Sequence, residues 1–305
     1  MKVLVATEKP FSKKAVDCMR SVIEGAGHDF VLLEKYTSPE QLRAAVADAD
    51  ALIVRSDIVD EALFAAAPGL KIVVRAGAGY DNIDLKAATS AGAIVENTPG
   101  QNSNAVAELV IGMAIMAARN KYDGTTGFEI TGKRLGLQAF GQVSRHVAAL
   151  AKGFGMEVKT IDPYCPVEVI EANGVGVAES LPALYAESDI LSIHIPATPE
   201  TVGSIGKNLI SQLPKGAVLI NTARKEVINE AELAEILQER PDLKYFADVK
   251  PKNADELAAR FPDRVFFTPK KSGAQTAEAN MNAGVAAAKQ IVAYFADGTD
   301  RFRVN

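Results

Sequence analysis

The chain has 305 residues, enough for two domains at roughly 100–200 residues each. Hydrophobic residues make up 48% and charged residues 23%, a balance that excludes a disordered or fibrous chain. The net charge is −5 and no long basic run occurs, which argues against a nucleic-acid partner; an anionic ligand would need a local cluster of arginine and lysine.

Short apolar runs alternate with stretches of helical spacing. Val3-Leu4-Val5-Ala6 predicts a strand, residues 14–24 a helix, Phe30-Val31-Leu32-Leu33 a strand and residues 39–47 a helix. Ala51-Leu52-Ile53-Val54 and Lys71-Ile72-Val73-Val74 continue the alternation, which implies a parallel sheet covered by helices. After the turn Asn97-Thr98-Pro99-Gly100, residues 103–119 predict a long, largely buried helix. The polar stretch 121–132 interrupts, and a second series begins. Its strands are expected at Leu135-Gly136-Leu137-Gln138, Val158-Lys159-Thr160-Ile161, Ile190-Leu191-Ser192-Ile193, Ala217-Val218-Leu219-Ile220, Tyr245-Phe246-Ala247 and Val265-Phe266-Phe267. Six strands are the size of a complete doubly wound nucleotide-binding domain. A last Ala-rich helix, 276–295, is expected to cross back to the first domain, with Phe302-Arg303-Val304 as a short tail.

The only cysteines, Cys18 and Cys165, are far apart and no metal-ligand spacing occurs, so a reduced, cytoplasmic setting is expected. The first residues read as a strand rather than a signal peptide. No apolar run reaches about 18 residues, so no membrane span is expected.

At the first turn of the second series, a G-x-G-x-x-G pattern would bring backbone close to a pyrophosphate. The chain has Ala139-Phe140-Gly141-Gln142-Val143-Ser144, which keeps only the middle glycine, with small residues at the outer positions. A helix from Gln142 would still aim its first amides at phosphate. The alternative is an ordinary strand–turn–helix of small residues. Asp162 strengthens the nucleotide reading, because it ends the next strand about 20 residues on, where a carboxylate accepts ribose hydroxyls. An acid there repels a 2′-phosphate, so NAD is expected over NADP; the competing reading is a solvated strand-end aspartate. Pro163 and Tyr164 follow and would bracket the adenine.

Several segments together carry a resemblance. They are Arg75-Ala76-Gly77-Ala78-Gly79-Tyr80-Asp81-Asn82-Ile83-Asp84 and Asn97-Thr98-Pro99-Gly100-Gln101-Asn102-Ser103-Asn104-Ala105-Val106-Ala107-Glu108. His194-Ile195-Pro196 with Thr198-Pro199-Glu200-Thr201, and Ile220-Asn221-Thr222-Ala223-Arg224, complete the set. In order and over nearly the whole chain, they resemble the D-2-hydroxyacid dehydrogenases. Arg55-Ser56 and Arg75 are most similar to members of that family whose substrate carries a phosphate.

The resemblance implies an α/β protein of two doubly wound parallel-sheet domains, one Rossmann-like for the cofactor and one flavodoxin-like for the substrate, with the active site in the cleft. The substrate-binding domain would comprise residues 1–98 plus 285–305, and the NAD-binding domain residues 99–284. It also implies a homodimer through the hydrophobic helix 105–116, in a short form without the regulatory domain that some members carry. Carried over by position, Arg224 binds the substrate's carboxylate and reacting oxygen, and amides near Gly77, Ala78 and Gly79 hold the carboxylate, with Asn102 close by. Asp248 faces the nicotinamide carboxamide, and His194, Ile195, Pro196, Thr201, Thr222, Ala223, Ser272 and Gly273 belong to the cofactor site.

Oxidising a secondary alcohol by hydride transfer needs a base for the hydroxyl proton and a cation for the developing alkoxide. Arg224 suits the second role, since its fork never loses its charge. The base is a departure. The only histidines are His28, His146 and His194, and none falls in the family's catalytic slot after Phe267-Thr268-Pro269, which holds Lys270, followed by Lys271, Ser272 and Gly273. The family's partner glutamate is also replaced, by Asn253. The two losses fit each other, because a glutamate orients an imidazole whereas a lysine amine has no tautomer to fix. Lys270 is therefore expected as acid/base, which requires its pKa to be lowered towards neutral. The alternative is that both lysines only hold phosphate or face solvent.

Arg55 and Arg75 end neighbouring strands and are expected to bind a substrate phosphate, although the hydroxyl expected shortly after Ser56 is missing and Ile58 stands there. The competing functions are a hydroxypyruvate or glyoxylate reductase of the same family, or an NAD-sensing binding protein that has lost catalysis.

Overall fold

The computed structural model describes all residues, Met1–Asn305. The chain forms two compact units, Met1–Asn102 with Gln275–Asn305, and Ser103–Ala274. The boundaries expected from the sequence are 98/99 and 284/285; the second differs because the whole last helix goes with the first unit.

In the first unit the chain runs β1 (Lys2–Thr7), α1 (Lys13–Gly25), β2 (Asp29–Glu34), α2 (Pro39–Val46), β3 (Ala51–Val54), α3 (Glu61–Ala66), β4 (Ile72–Arg75), α4 (Leu85–Ser90) and β5 (Ile94–Asn97). The strands pair in parallel in the order β2-β1-β3-β4-β5, the flavodoxin-like order. Side chains of a strand alternate between faces, so a run such as Val3-Leu4-Val5-Ala6 serves two cores at once. Val3, Val5, Ile53 and Val74 pack on one side with Phe11, Met19 and the last helix. Leu4, Ala6, Leu52 and Val73 pack on the other with Leu42, Leu63 and Ala88. Each fully buried Val, Leu or Ile contributes about 1.5–3 kcal/mol.

The second unit contains α5 (Ser103–Ala118), β6 (Arg134–Gln138), α6 (Gln142–Gly153), β7 (Glu157–Ile161), α7 (Val167–Ala172), β8 (Gly176–Val177), α8 (Leu181–Ala186) and β9 (Ile190–Ile193). Then come α9 (Lys207–Ile210), β10 (Val218–Asn221), α10 (Glu230–Glu239), β11 (Lys244–Ala247), α11 (Ala254–Arg260) and β12 (Val265–Phe267). The parallel sheet runs β12-β11-β10-β9-β6-β7-β8, the Rossmann order with one more strand at its end. Its two faces separate in the same way: Leu135, Leu137, Val218 and Phe246 pack with α5 and α6, while Leu191, Ile193, Leu219 and Tyr245 pack with α8 and α10.

The last helix, α12 (Ala277–Asp297), packs on α1 in the first unit. Gly284 makes that approach possible, since a Cβ there would meet Met19 Sδ at 2.8 Å. The tail then pairs with β5: Glu96 and Arg303 form an antiparallel bridge, and Val304 N–H donates to Val95 O at 2.9 Å. Glu96 is buried there, its Oε1 accepting from Phe302 N–H at 2.9 Å, and burial raises its carboxyl above the usual range. No helix is long and apolar enough to cross a membrane.

Candidate active site

In an open parallel sheet, ligands bind at the carboxyl ends of the strands, where the strand order reverses. In the second unit that point lies between β6 and β9. From β6 the chain reaches α6 through Ala139, Phe140 and Gly141. Ala139 has φ 80°, a left-handed backbone that costs a residue with a Cβ about 1–2 kcal/mol. Gly141 is the N-cap of α6 and brings no capping side chain, which leaves first-turn amides at Gln142 and Val143 open to an anion. Ser144 Oγ is buried there without a partner. Phe140 contributes shape rather than contacts: its ring is in the core, and its N–H donates to Asp162 Oδ2 at 2.8 Å.

Asp162 Oδ1 accepts from Tyr164 N–H at 2.9 Å. Each carboxylate oxygen has a second lone pair for a ribose hydroxyl. Pro163 and Tyr164 are exposed next to it, Tyr164 at 95%.

At the end of β9, His194 N–H donates to Gln138 O at 3.0 Å, while its Nε2 is buried without a partner. Burial pushes this imidazole down to about 3, so it is neutral. Ile195 packs on the core and Pro196 is exposed. Thr201 closes its own loop, its Oγ1 donating to Pro196 O at 2.6 Å and accepting from Thr198 N–H at 2.7 Å.

At the end of β10, Thr222 is buried and its Oγ1 has no partner. Asn221 fixes the following turn: its Oδ1 accepts from Ala223 N–H at 2.9 Å and its Nδ2 donates to Arg224 O at 2.9 Å. Arg224 is half-buried and extended, with one Nη1–H on Ala223 O at 3.0 Å.

After β11, the buried Asp248 gathers the segment that follows β12. Its Oδ1 accepts from Thr268 Oγ1 at 2.9 Å and Ser272 N–H at 2.7 Å, and its Oδ2 from Gly273 N–H at 2.9 Å. Lys270 lies on that segment with its side chain exposed, and its carbonyl accepts from Ser272 Oγ at 2.8 Å. Asn253 sits at the start of α11, with Nδ2 on Glu230 O at 3.4 Å and Oδ1 buried without a partner. His146 is exposed on α6, and His28 meets Phe295 edge-on at 5.3 Å, so neither joins these groups.

A dinucleotide fits this edge. The uncapped start of α6 offers free amides of the kind a pyrophosphate needs, and Asp162 offers a carboxylate of the kind a ribose needs. The orphaned His194 Nε2 and Thr222 Oγ1 are polar atoms that a ligand would satisfy. Asp162→Ala is expected to weaken NAD binding by about tenfold or more, since a hydrogen bond to a charged group is worth about 1.5–3 kcal/mol. It should also narrow the preference for NAD over NADP. Equal use of NADP by the native chain, read from initial rates, would end this assignment.

The first unit gathers a second group at the carboxyl ends of its strands. Arg55 is half-buried over the Phe11 ring, 5.0 Å from its centroid. Its guanidinium donates to Lys9 O at 2.9 Å, Pro10 O at 3.3 Å and Asn280 Oδ1 at 2.6 Å. Arg75 Nε donates to Arg55 O at 2.9 Å. Gly77, at φ 150°, takes a backbone that a residue with a Cβ adopts only under strain, and a Cβ there would also displace the Arg75 guanidinium. Gly77 N–H is already committed to Arg75 O at 2.8 Å; the amides of Ala78 and Gly79 make no bond in the protein and are the ones left for a carboxylate. Ser56 is exposed and Asn102 half-buried. Sequence reasoning missed Asp57, a carboxylate 4% exposed beneath Arg55; no motif signals it.

Residues 106–270 match the D-isomer specific 2-hydroxyacid dehydrogenase, NAD binding domain. A D-3-phosphoglycerate dehydrogenase of Methanocaldococcus jannaschii is 38% identical over 83% of this chain and 51% of its own length. One of Archaeoglobus fulgidus is 35% identical over 96% and 57%. The chain thus spans about half the length of the curated relatives it matches. Among solved structures, cofactor (NAD+)-bound 3-phosphoglycerate dehydrogenase of Entamoeba histolytica is 45% identical, covering 100% of this chain and 98% of that one, with a TM-score of 0.90. This chain belongs to the D-isomer specific 2-hydroxyacid dehydrogenase family, and its second unit carries that family's NAD-binding domain.

Proposed function

We propose that this chain oxidises 3-phosphoglycerate to 3-phosphohydroxypyruvate with NAD, the entry to serine synthesis. The observation that carries this reading is the likeness, over nearly the whole of both chains, to an NAD-bound 3-phosphoglycerate dehydrogenase. The second unit's strand ends would hold NAD, which when bound supplies the acceptor for the hydride from C2. Lys270, as the neutral amine, takes the proton of the C2 hydroxyl. Arg224 holds the carboxylate and the oxygen on which negative charge grows. In the first unit, Ala78 and Gly79 amides bind the carboxylate, and Arg55 and Arg75 bind the phosphate. The same reading makes the protein a cytoplasmic homodimer assembled through α5, which sedimentation would test.

One observation favours the reductase of an unphosphorylated 2-ketoacid instead: three hydrogen bonds already tie the Arg55 guanidinium to its own unit. A guanidinium has five N–H donors, so donors remain for a phosphate. The deciding experiment is kinetic. Arg55→Ala or Arg75→Ala should raise KM for 3-phosphoglycerate far more than for D-glycerate, because losing a buried charge partner costs on the order of 2–5 kcal/mol. Equal losses on both substrates would favour the reductase.

A further inference from the structure

The strand order of the first unit reverses between β1 and β3, and the loops after these strands diverge there. Asp57 stands in the loop after β3, buried, in a place where its charge must be matched by donors. They come from three directions. Oδ1 accepts from Glu8 N–H at 2.8 Å and from the Tyr36 hydroxyl at 2.6 Å, and Oδ2 accepts from Arg55 N–H at 3.1 Å. The Asp57 carbonyl also accepts from Asn82 Nδ2 at 2.6 Å. The loops after β1, β2, β3 and β4 are thereby tied to one residue. Tyr36 is a dependable donor here, since burial and the neighbouring carboxylate hold its phenol far above its ordinary value.

The link continues outward. The Arg55 peptide that gives its N–H to Asp57 receives Arg75 Nε on its carbonyl at 2.9 Å. The loop after β1, held at Glu8, supplies the Lys9 and Pro10 carbonyls on which the Arg55 guanidinium rests. Both arginines are therefore placed by groups that Asp57 fixes. Ile58, where a hydroxyl was expected from the sequence, is 65% exposed and takes no part.

We propose that Asp57 is a positioning residue for substrate binding, whose carboxylate presets Arg55 and Arg75 for the phosphate. This rests on the assignment of those arginines made above. It is a role in specificity, so it should appear in KM rather than kcat.

The test compares Asp57→Asn with the native chain. The amide keeps the shape and one acceptor oxygen but faces Arg55 N–H with a second donor. KM for 3-phosphoglycerate should rise about tenfold or more, on the scale of a lost hydrogen bond to a charged group. kcat and KM for NAD should stay within about twofold, and KM for D-glycerate should change much less. Tyr36→Phe removes a single donor and keeps the carboxylate, so it should give a smaller rise of the same kind even if Asp57→Asn does not fold. An unchanged KM for 3-phosphoglycerate in the variant that folds, or an equal rise with D-glycerate, overturns the proposal. If the native chain itself does not oxidise 3-phosphoglycerate, the phosphate reading falls and this proposal with it; native turnover with an unaltered variant sinks this proposal alone.

Discussion

Lys270→Ala is expected to lower kcat for the oxidation by about 10²–10⁴-fold, the usual contribution of a general acid–base group, with NAD binding close to native. The residue stands on the segment that Asp248 holds through Thr268, Ser272 and Gly273, so its backbone is fixed while its exposed side chain can reach outwards. Removing the amine leaves those three bonds in place, which is why the cofactor site should survive. His194 gives no pH dependence of its own across pH 5–9, because burial holds its imidazole down to about 3. Lys271→Ala should matter far less. Full kcat in Lys270→Ala, or loss of the chemical step in His194→Ala with NAD binding intact, would refute the mechanism.

Arg224→Ala is expected to reduce kcat by about 10²–10³-fold, the loss seen when one donor to a developing oxyanion is removed. Here the donor is also a full charge, presented from the end of a central strand by the Asn221 turn. KM for the hydroxyacid should rise as well if, as proposed, the same fork holds the carboxylate. Arg224→Lys should recover only part of both, because an ammonium cannot bind two oxygens in the plane. NAD affinity, followed by fluorescence, is the control. A variant that loses NAD binding and turnover in equal measure would show Arg224 to be a support of the cofactor loop instead.

Much of this architecture was legible in the chain. Strands buried on both faces read as unbroken apolar runs, so β1, β3, β4 and β10 stand out. The two strands missed are those that break this pattern. β5 carries Glu96, a charge in the middle of a strand, which became tolerable only because Phe302 N–H meets it from the far end of the chain. β8 is two exposed residues at a sheet edge and has no apolar run at all. The glycine fingerprint was blurred for a local reason: Ala139 accepts the left-handed backbone that glycine would take freely. Placement at the strand ends, as for Asp162 and Arg224, could be read from the sequence. Contacts with distant partners could not. Nothing near Arg55 in sequence announces Asn280, and nothing near Asp57 announces Tyr36.

The tail pairing on β5 has one more effect. The border strand of an open sheet presents a row of unsatisfied N–H and C=O groups, which invites a strand from another molecule and so promotes aggregation. Here residues 302–305 occupy that row: Asn97 N–H meets Phe302 O, Val304 N–H meets Val95 O, and the Asn305 side chain accepts from Val95 N–H and donates to Ala93 O. A stranger would have to displace them. The run runs antiparallel to β5 in a sheet otherwise parallel throughout, and it acts as a selvedge that keeps the weave from catching on its neighbours.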